Sequence, residues 1–268
     1  MAPWHDNQHE VHIPASPNAY VITKANGETM DLRRKVLFFA LETSSVLYWF
    51  GGLAFLVGSF FFYPREKSSP GDSWFGSYLY LFGCTAFLWG SCIDSYEARV
   101  EHLNGPPGLL RFAPVASSCF NVFGSIQFVI GAVFYLPTYY SSHPTYGSWL
   151  FISGCLAFCC AIFVDVMRLA TYSHAASTPV RRRWVHILSP WYLVSLLNLV
   201  GNIFFIVGAY SYLPKFVAVS NHDLQQINLA FAASQFIVGS VCFSIAPLVQ
   251  MYAINEDLSS PSVLFMQV

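Results

Sequence analysis

Charge is scarce in this chain of 268 residues: only 10% are Asp, Glu, Lys or Arg, and the net charge is −1. So little charge leaves no basic face for a phosphate backbone, and nucleic acid is not an expected partner. Asn-x-Ser/Thr sites are missing altogether, so no loop is marked for glycosylation. The first thirty residues are polar and mixed in charge. They lack the apolar core of a cleavable leader and the Arg-rich, acid-poor composition of a transit peptide. Also missing are a Walker loop, a nucleophile elbow, an HExxH helix and paired carboxylates within an apolar run. Without a reactive constellation, no catalytic residue and no cofactor are expected, and the chain reads as a non-enzyme.

Loop cysteines are likewise missing. Cys84, Cys92, Cys119, Cys155, Cys159, Cys160 and Cys242 all fall inside or at the edge of apolar blocks. There they serve as small apolar residues, which predicts neither a disulfide framework nor a zinc site. His5, His9 and His12 stand at helical spacing beside Asp6 and Glu10. Imidazole with carboxylate is a common ligand set, but a short polar terminus is the poorest place to preorganise one. No metal site is expected.

Apolar residues are what the chain has in abundance, at 55%, with 25 Phe, 15 Tyr and 7 Trp. They gather into blocks of about 20 residues, the length a helix needs to cross hydrocarbon. The expected fold is therefore an all-α polytopic membrane protein. Its six transmembrane helices fall near 44–63, 74–94, 116–136, 146–166, 191–213 and 226–247.

One block is written three times: FGGLAFLVGSFFFYP at 50–64, FGSIQFVIGAVFYLP at 123–137 and VGNIFFIVGAYSYLP at 200–214. In register, Gly51, Gly124 and Gly201 match, then Phe55, Phe128 and Phe205, then Gly58, Gly131 and Gly208, then Phe62, Tyr135 and Tyr212; Pro64, Pro137 and Pro214 close the blocks. Steps of three and four put these positions on one helix face. Small residues on such a face let backbones approach where lipid supplies no hydrophobic drive, so the stripe reads as a helix-packing surface. Tyr48, Asn121 and Asn198 align one turn earlier, and the two asparagines are expected to hydrogen-bond across to a neighbouring helix.

Each block is followed by a second. WFGSYLYLFGCTAFLWGSCID at 74–94 matches TYGSWLFISGCLAFCCAIFVD at 145–165 through Gly76/Gly147, Gly83/Gly154, Cys84/Cys155, Phe87/Phe158 and Asp94/Asp165. The third partner, 227–243, aligns with Phe243 where the aspartates stand. A helical hairpin of about 75 residues is thus repeated three times. The expected segments are a polar tail at 1–30, hairpins at 31–104, 105–179 and 180–250, and a C-terminal tail at 251–268. Asp94 and Asp165 are the polar candidates inside the membrane. They sit at helix ends, where Arg99 and Arg168 are expected to pair with them locally.

Lys and Arg number ten in the N-terminal segment and inter-hairpin linkers but three at the hairpin tips. By the positive-inside rule both termini are cytoplasmic. The plasma membrane is the favoured location. The pattern G-x-x-x-F-x-x-G, with WLFISGCLAF and the RRRW run at 181–184, resembles YrhK-like membrane domains in three tandem copies over residues 33–250. That resemblance implies a two-helix membrane unit and carries no activity, cofactor or catalytic residue. The expected role is structural, an accessory or scaffold component whose partners are the lipid bilayer and other membrane protein subunits. A small-molecule or ion conduit is the alternative, and a membrane-embedded enzyme comes last.

Overall fold

The computed structural model describes residues 21–23, 29–64, 70–104, 109–176 and 189–259. The chain divides into two compact units, 1–39 and 40–268. The first holds a short antiparallel pair, β1 (Val21–Thr23) and β2 (Thr29–Asp31), with Ile22 opposite Met30. This hairpin was not expected of the polar tail. The calls on His5, His9, His12, the RRRW run and the C-terminal end lie outside the described residues.

The second unit is all-helical among its described residues. The long helices are α1 (Leu32–Phe61, which begins in the first unit), α2 (Pro70–Asn104), α3 (Ala113–Tyr135), α5 (Tyr146–Ala176), α6 (Pro190–Ser211) and α8 (His222–Ser259). Two single turns, α4 (Pro137–Tyr140) and α7 (Pro214–Val217), lie between them, and a 3₁₀ turn (Leu109–Phe112) leads into α3. Pro137 and Pro214 do more than stop a helix. Each drives the preceding leucine extended (Leu136 at φ −62°, ψ 138°; Leu213 at φ −62°, ψ 144°) and then opens the next turn at its first position.

Among the described residues, five helices are long and apolar enough to cross a membrane: 39–61, 113–135, 146–171, 190–211 and 222–255. The expected span at 74–94 is not among them. It lies within the 35-residue α2, but Trp74, Tyr78, Tyr80 and Trp89 with Ser77 and Ser91 dilute its aliphatic content. The other boundaries shift mainly at one end. α2, α5 and α8 run on to 104, 176 and 259, through segments such as SYEARVEHLN that contain no helix breaker. Pro247 lies inside α8 rather than at its end.

Glycines and aromatic rings lock each pair of long helices. A Cβ on Gly51 would stand 2.6 Å from the Phe87 ring, and one on Gly83 would stand 2.7 Å from Phe55. The same exchange joins Gly124 to Phe158 and Gly154 to Phe128 in the second pair, and Gly201 to Phe243 and Gly239 to Phe205 in the third. A second level repeats it, with Gly58 against Tyr80, Gly131 against Phe151 and Gly208 against Phe236. The backbones approach closely where the rings cross, because a Cβ on the glycines of the first level would stand only 2.9–3.2 Å from a glycine carbonyl of the opposing helix.

That interlock corrects the register expected for the third pair. Phe243 packs on Gly201 as Phe87 does on Gly51, so it is the counterpart of Phe87 and Phe158, not of the aspartates. Seven residues on, Gln250 stands where Asp94 and Asp165 stand.

Phe55, Phe128 and Phe205 are fully buried and meet at the centre, with ring centroids 5.6–6.3 Å apart. The ring of helices closes between α8 and α1. A Cβ at Gly52 would lie 2.8 Å from both the carbonyl carbon and the oxygen of Phe243. That carbonyl is the one Pro247, four residues later, cannot bond, so the helix break and the glycine meet at one point. Outward faces are apolar, for example Phe82, Leu156, Phe163, Ile245 and Leu248.

Candidate functional site

Two polar layers flank the aromatic centre. The one at the proline end is made of tyrosines. Tyr80 shares a 2.7 Å hydrogen bond with Ser59, Tyr135 one of 2.9 Å with Ser148, and Ser77 donates to the Tyr135 carbonyl at 3.0 Å. Phe62, Tyr80, Tyr135, Tyr212 and Phe236 line a cavity of only about 10 Å³. A water needs roughly that volume together with polar partners, and the walls here are apolar, so the space is a packing defect rather than a ligand pocket. Beside it, burial raises the phenol pKa of Tyr140; burial and then the neighbouring Tyr140 raise that of Tyr212. Both stay neutral across the physiological range.

The other layer carries the acids. Tyr48, on α1, donates to Asp94 Oδ2 at 2.7 Å, and the Ser44 hydroxyl, one turn earlier, lies alongside. Tyr48 also meets Ser91 Oγ at 3.3 Å, and Ser91 meets Ser125 Oγ, on α3, at 2.8 Å. One turn further out, Ser118 donates to Ser95 at 2.7 Å. Asp165 is served from α3, where Ser117 donates to its Oδ2 at 2.7 Å; Arg168 lies 3.9 Å from its Oδ1. Hydroxyls and carboxylates thus bond α1, α2, α3 and α5 to one another within this layer.

The sequence candidates separate here. Gly51, Phe55, Gly58, Gly124, Phe128, Gly131, Gly201, Phe205 and Gly208 all lie in the interlock. Asp165 and Arg168 form the expected local ion pair. Asp94 is held by hydroxyls instead of by Arg99, whose side chain is exposed. Asn121 and Asn198 are only partly buried, and among the described residues neither side chain makes the expected cross-helix bond. The seam-facing position comes four residues later, at Ser125 and Asn202.

Sequence reasoning missed the serines and Asn202. Asn202 is 2% exposed; its Nδ2 donates to the Asn198 carbonyl at 2.8 Å, and its Oδ1 has no partner. Ser91 with Ser95, and Ser118 with Ser125, recur at intervals of four and seven, a helix-face spacing that could have flagged them. Three fully buried oxygens have no hydrogen-bond partner among the described residues: Asp94 Oδ1, Gln127 Oε1 and Asn202 Oδ1. No group of three or more potential metal ligands occurs among those residues.

The family model for YrhK-like proteins matches the chain in two segments, residues 42–97 and 113–169. These segments are the α1–α2 and α3–α5 pairs, including both aspartates and the hydroxyls that hold them. The α6–α8 pair lies outside the match. No curated protein and no solved structure matches the chain.

Proposed function

We propose that this protein is a structural or accessory component of a membrane, a six-span bundle built from three copies of one hairpin that seats other membrane subunits. The observation that carries this reading is the centre of the bundle. Phe55, Phe128 and Phe205 are equivalent residues of the three hairpins, all buried and all in contact. Copies arranged around a pseudo-threefold axis bring equivalent side chains together in this way. The corrected register strengthens the repeat, since each hairpin makes the same two-way glycine–ring exchange at the first level and seats a ring on Gly58, Gly131 or Gly208 at the second.

Those rings fill the axis, so the obvious path for a conduit is occupied by side chains. The spans would run with both termini on the cytoplasmic side of the plasma membrane, as the Lys and Arg bias implies. α2 serves as the sixth span: at 1.5 Å per residue its length exceeds the ~30 Å of hydrocarbon, and its Tyr80 and Phe87 rings pack on Phe55 of α1.

Two measurements test this reading. Extraction in a mild detergent with quantitative mass spectrometry should recover at least one membrane protein in stoichiometric amount. Proteoliposomes of the purified chain should stay tight to small ions and solutes. A chain that purifies alone and makes vesicles permeable overturns the scaffold reading in favour of the conduit. For the topology, a cysteine placed at Ser68 in a cysteine-free background should label from outside intact cells. Labelling only after permeabilisation reverses the orientation.

A further inference from the structure

We propose that Asp94 is a proton-binding site, and that its protonation state sets the direction of a chain of hydroxyls running from hairpin one into hairpin two. The chain is Asp94 Oδ2, Tyr48 OH, Ser91 Oγ and Ser125 Oγ, with links of 2.7, 3.3 and 2.8 Å. Every link after the acid joins two hydroxyls, and a hydroxyl both donates and accepts.

With Asp94 ionised, Oδ2 can only accept. Tyr48 must then donate to it, Ser91 to Tyr48, and Ser125 to Ser91, so all the donors point at the acid. With a proton on Oδ2, the acid donates to Tyr48, Tyr48 to Ser91 and Ser91 to Ser125, and the chain points the other way. The step is a proton transfer from hydronium to the carboxylate, giving a carboxylic acid and water; no other bond is made or broken. Both states keep the same heavy-atom positions, which makes the acid reversible without repacking.

The surroundings set Asp94 apart from Asp165. Asp165 has a guanidinium 3.9 Å away, whereas no ion pair to Asp94 occurs among the described residues. Asp94 Oδ1 is fully buried and has no hydrogen-bond partner among the described residues. A bare carboxylate oxygen in that position is costly, and adding a proton removes the charge that makes it so. The groups facing Asp94 are Tyr48 and Ser44 from α1 and the Asp165 carboxylate from α5, while α3 reaches it only through the Ser125 hydroxyl on Ser91. The residue as a whole is partly exposed, so a proton has a way in from the end of the bundle.

Infrared difference spectroscopy of the full chain in lipid nanodiscs, between acid and alkaline buffer, tests this directly. The expected spectrum contains one carboxylic C=O band that titrates, disappears in Asp94→Asn, persists in Asp165→Asn, and shifts in Tyr48→Phe because a hydrogen bond to the acid is lost. Absence of a titrating carboxyl band, its survival in Asp94→Asn, or an unmoved band in Tyr48→Phe would each overturn the proposal. Should Asp94→Asn fail to fold, the wild-type and Tyr48→Phe spectra alone decide.

Discussion

The first two hairpins and the third are locked by the same device yet differ in their polar ends. In each, glycine notches receive rings from the opposite helix, and the third pair does this as closely as the others: a Cβ on Gly239 would stand 2.5 Å from Phe205, against 2.7 Å for Gly83 and Phe55. At the acid-bearing end the likeness stops. Hairpin one has Ser44, Tyr48 and Asp94, and hairpin two has Ser117 and Asp165. At the matching places hairpin three has Val194, Asn198 and Gln250. The lesson concerns which positions are free. Close backbone approach in lipid depends on a missing or minimal side chain, glycine at the tightest notches and Ala232 at one of the looser ones. A polar pair at a helix end is one of several ways to satisfy a seam.

The largest effect should follow from breaking what the hairpins share. Phe55→Ala, Phe128→Ala and Phe205→Ala each empty the same central point and should each cost about 3–5 kcal/mol, within error of one another. Unfolding in a detergent titration measures this, and a clear ranking among the three would break the equivalence.

Next come the notches. Gly83→Ala, Gly154→Ala and Gly239→Ala would each press a methyl group into a ring and should lower stability by about 1–3 kcal/mol. Gly52→Ala belongs in this range too, since its neighbour is the Phe243 backbone, which cannot turn aside as a ring can. Thermal melting in detergent is the readout. Gly52→Ala is expected to match or exceed the others.

A smaller effect separates the hairpins. Ser117→Ala removes the hydrogen bond to Asp165 Oδ2 and should cost roughly 1–2 kcal/mol, whereas Val194→Ser, at the same place in hairpin three, finds no acid and brings no gain. The smallest test sharpens the comparison by rebuilding the missing pair. Gln250→Asp alone should destabilise, and Val194→Ser with Gln250→Asp should recover part of the loss, a coupling of about 0.5–1 kcal/mol in a double-mutant cycle. No coupling would mean that the third seam is spaced differently from the other two.

Much of this architecture was legible beforehand because its signals are local. A block long enough to cross hydrocarbon and a face defined by steps of three and four can be read along a single helix. The nine packing residues were found from spacing alone, and all nine lie in the interlock. The third hairpin's register was misread because its notches differ: Ala232 stands where Gly76 and Gly147 do, and Ser240 where Cys84 and Cys155 do. With those markers gone, only the partner of each ring identifies the match.

The packing face of the first helix of each pair was thus settled by the amino-acid order, because it depends on neighbours within two turns of the same helix. Which hydroxyl serves which acid was not. Tyr48 and Asp94 are 46 residues apart, and Ser91 and Ser125 are 34 apart. Such pairs exist only where two helices cross at a given rotation, and a rotation of about 40° moves the seam from Asn121 to Ser125 or from Asn198 to Asn202. The tertiary structure alone decided this, because glycine–ring packing fixes the rotation of each helix and the polar groups bond to whatever that rotation brings within reach.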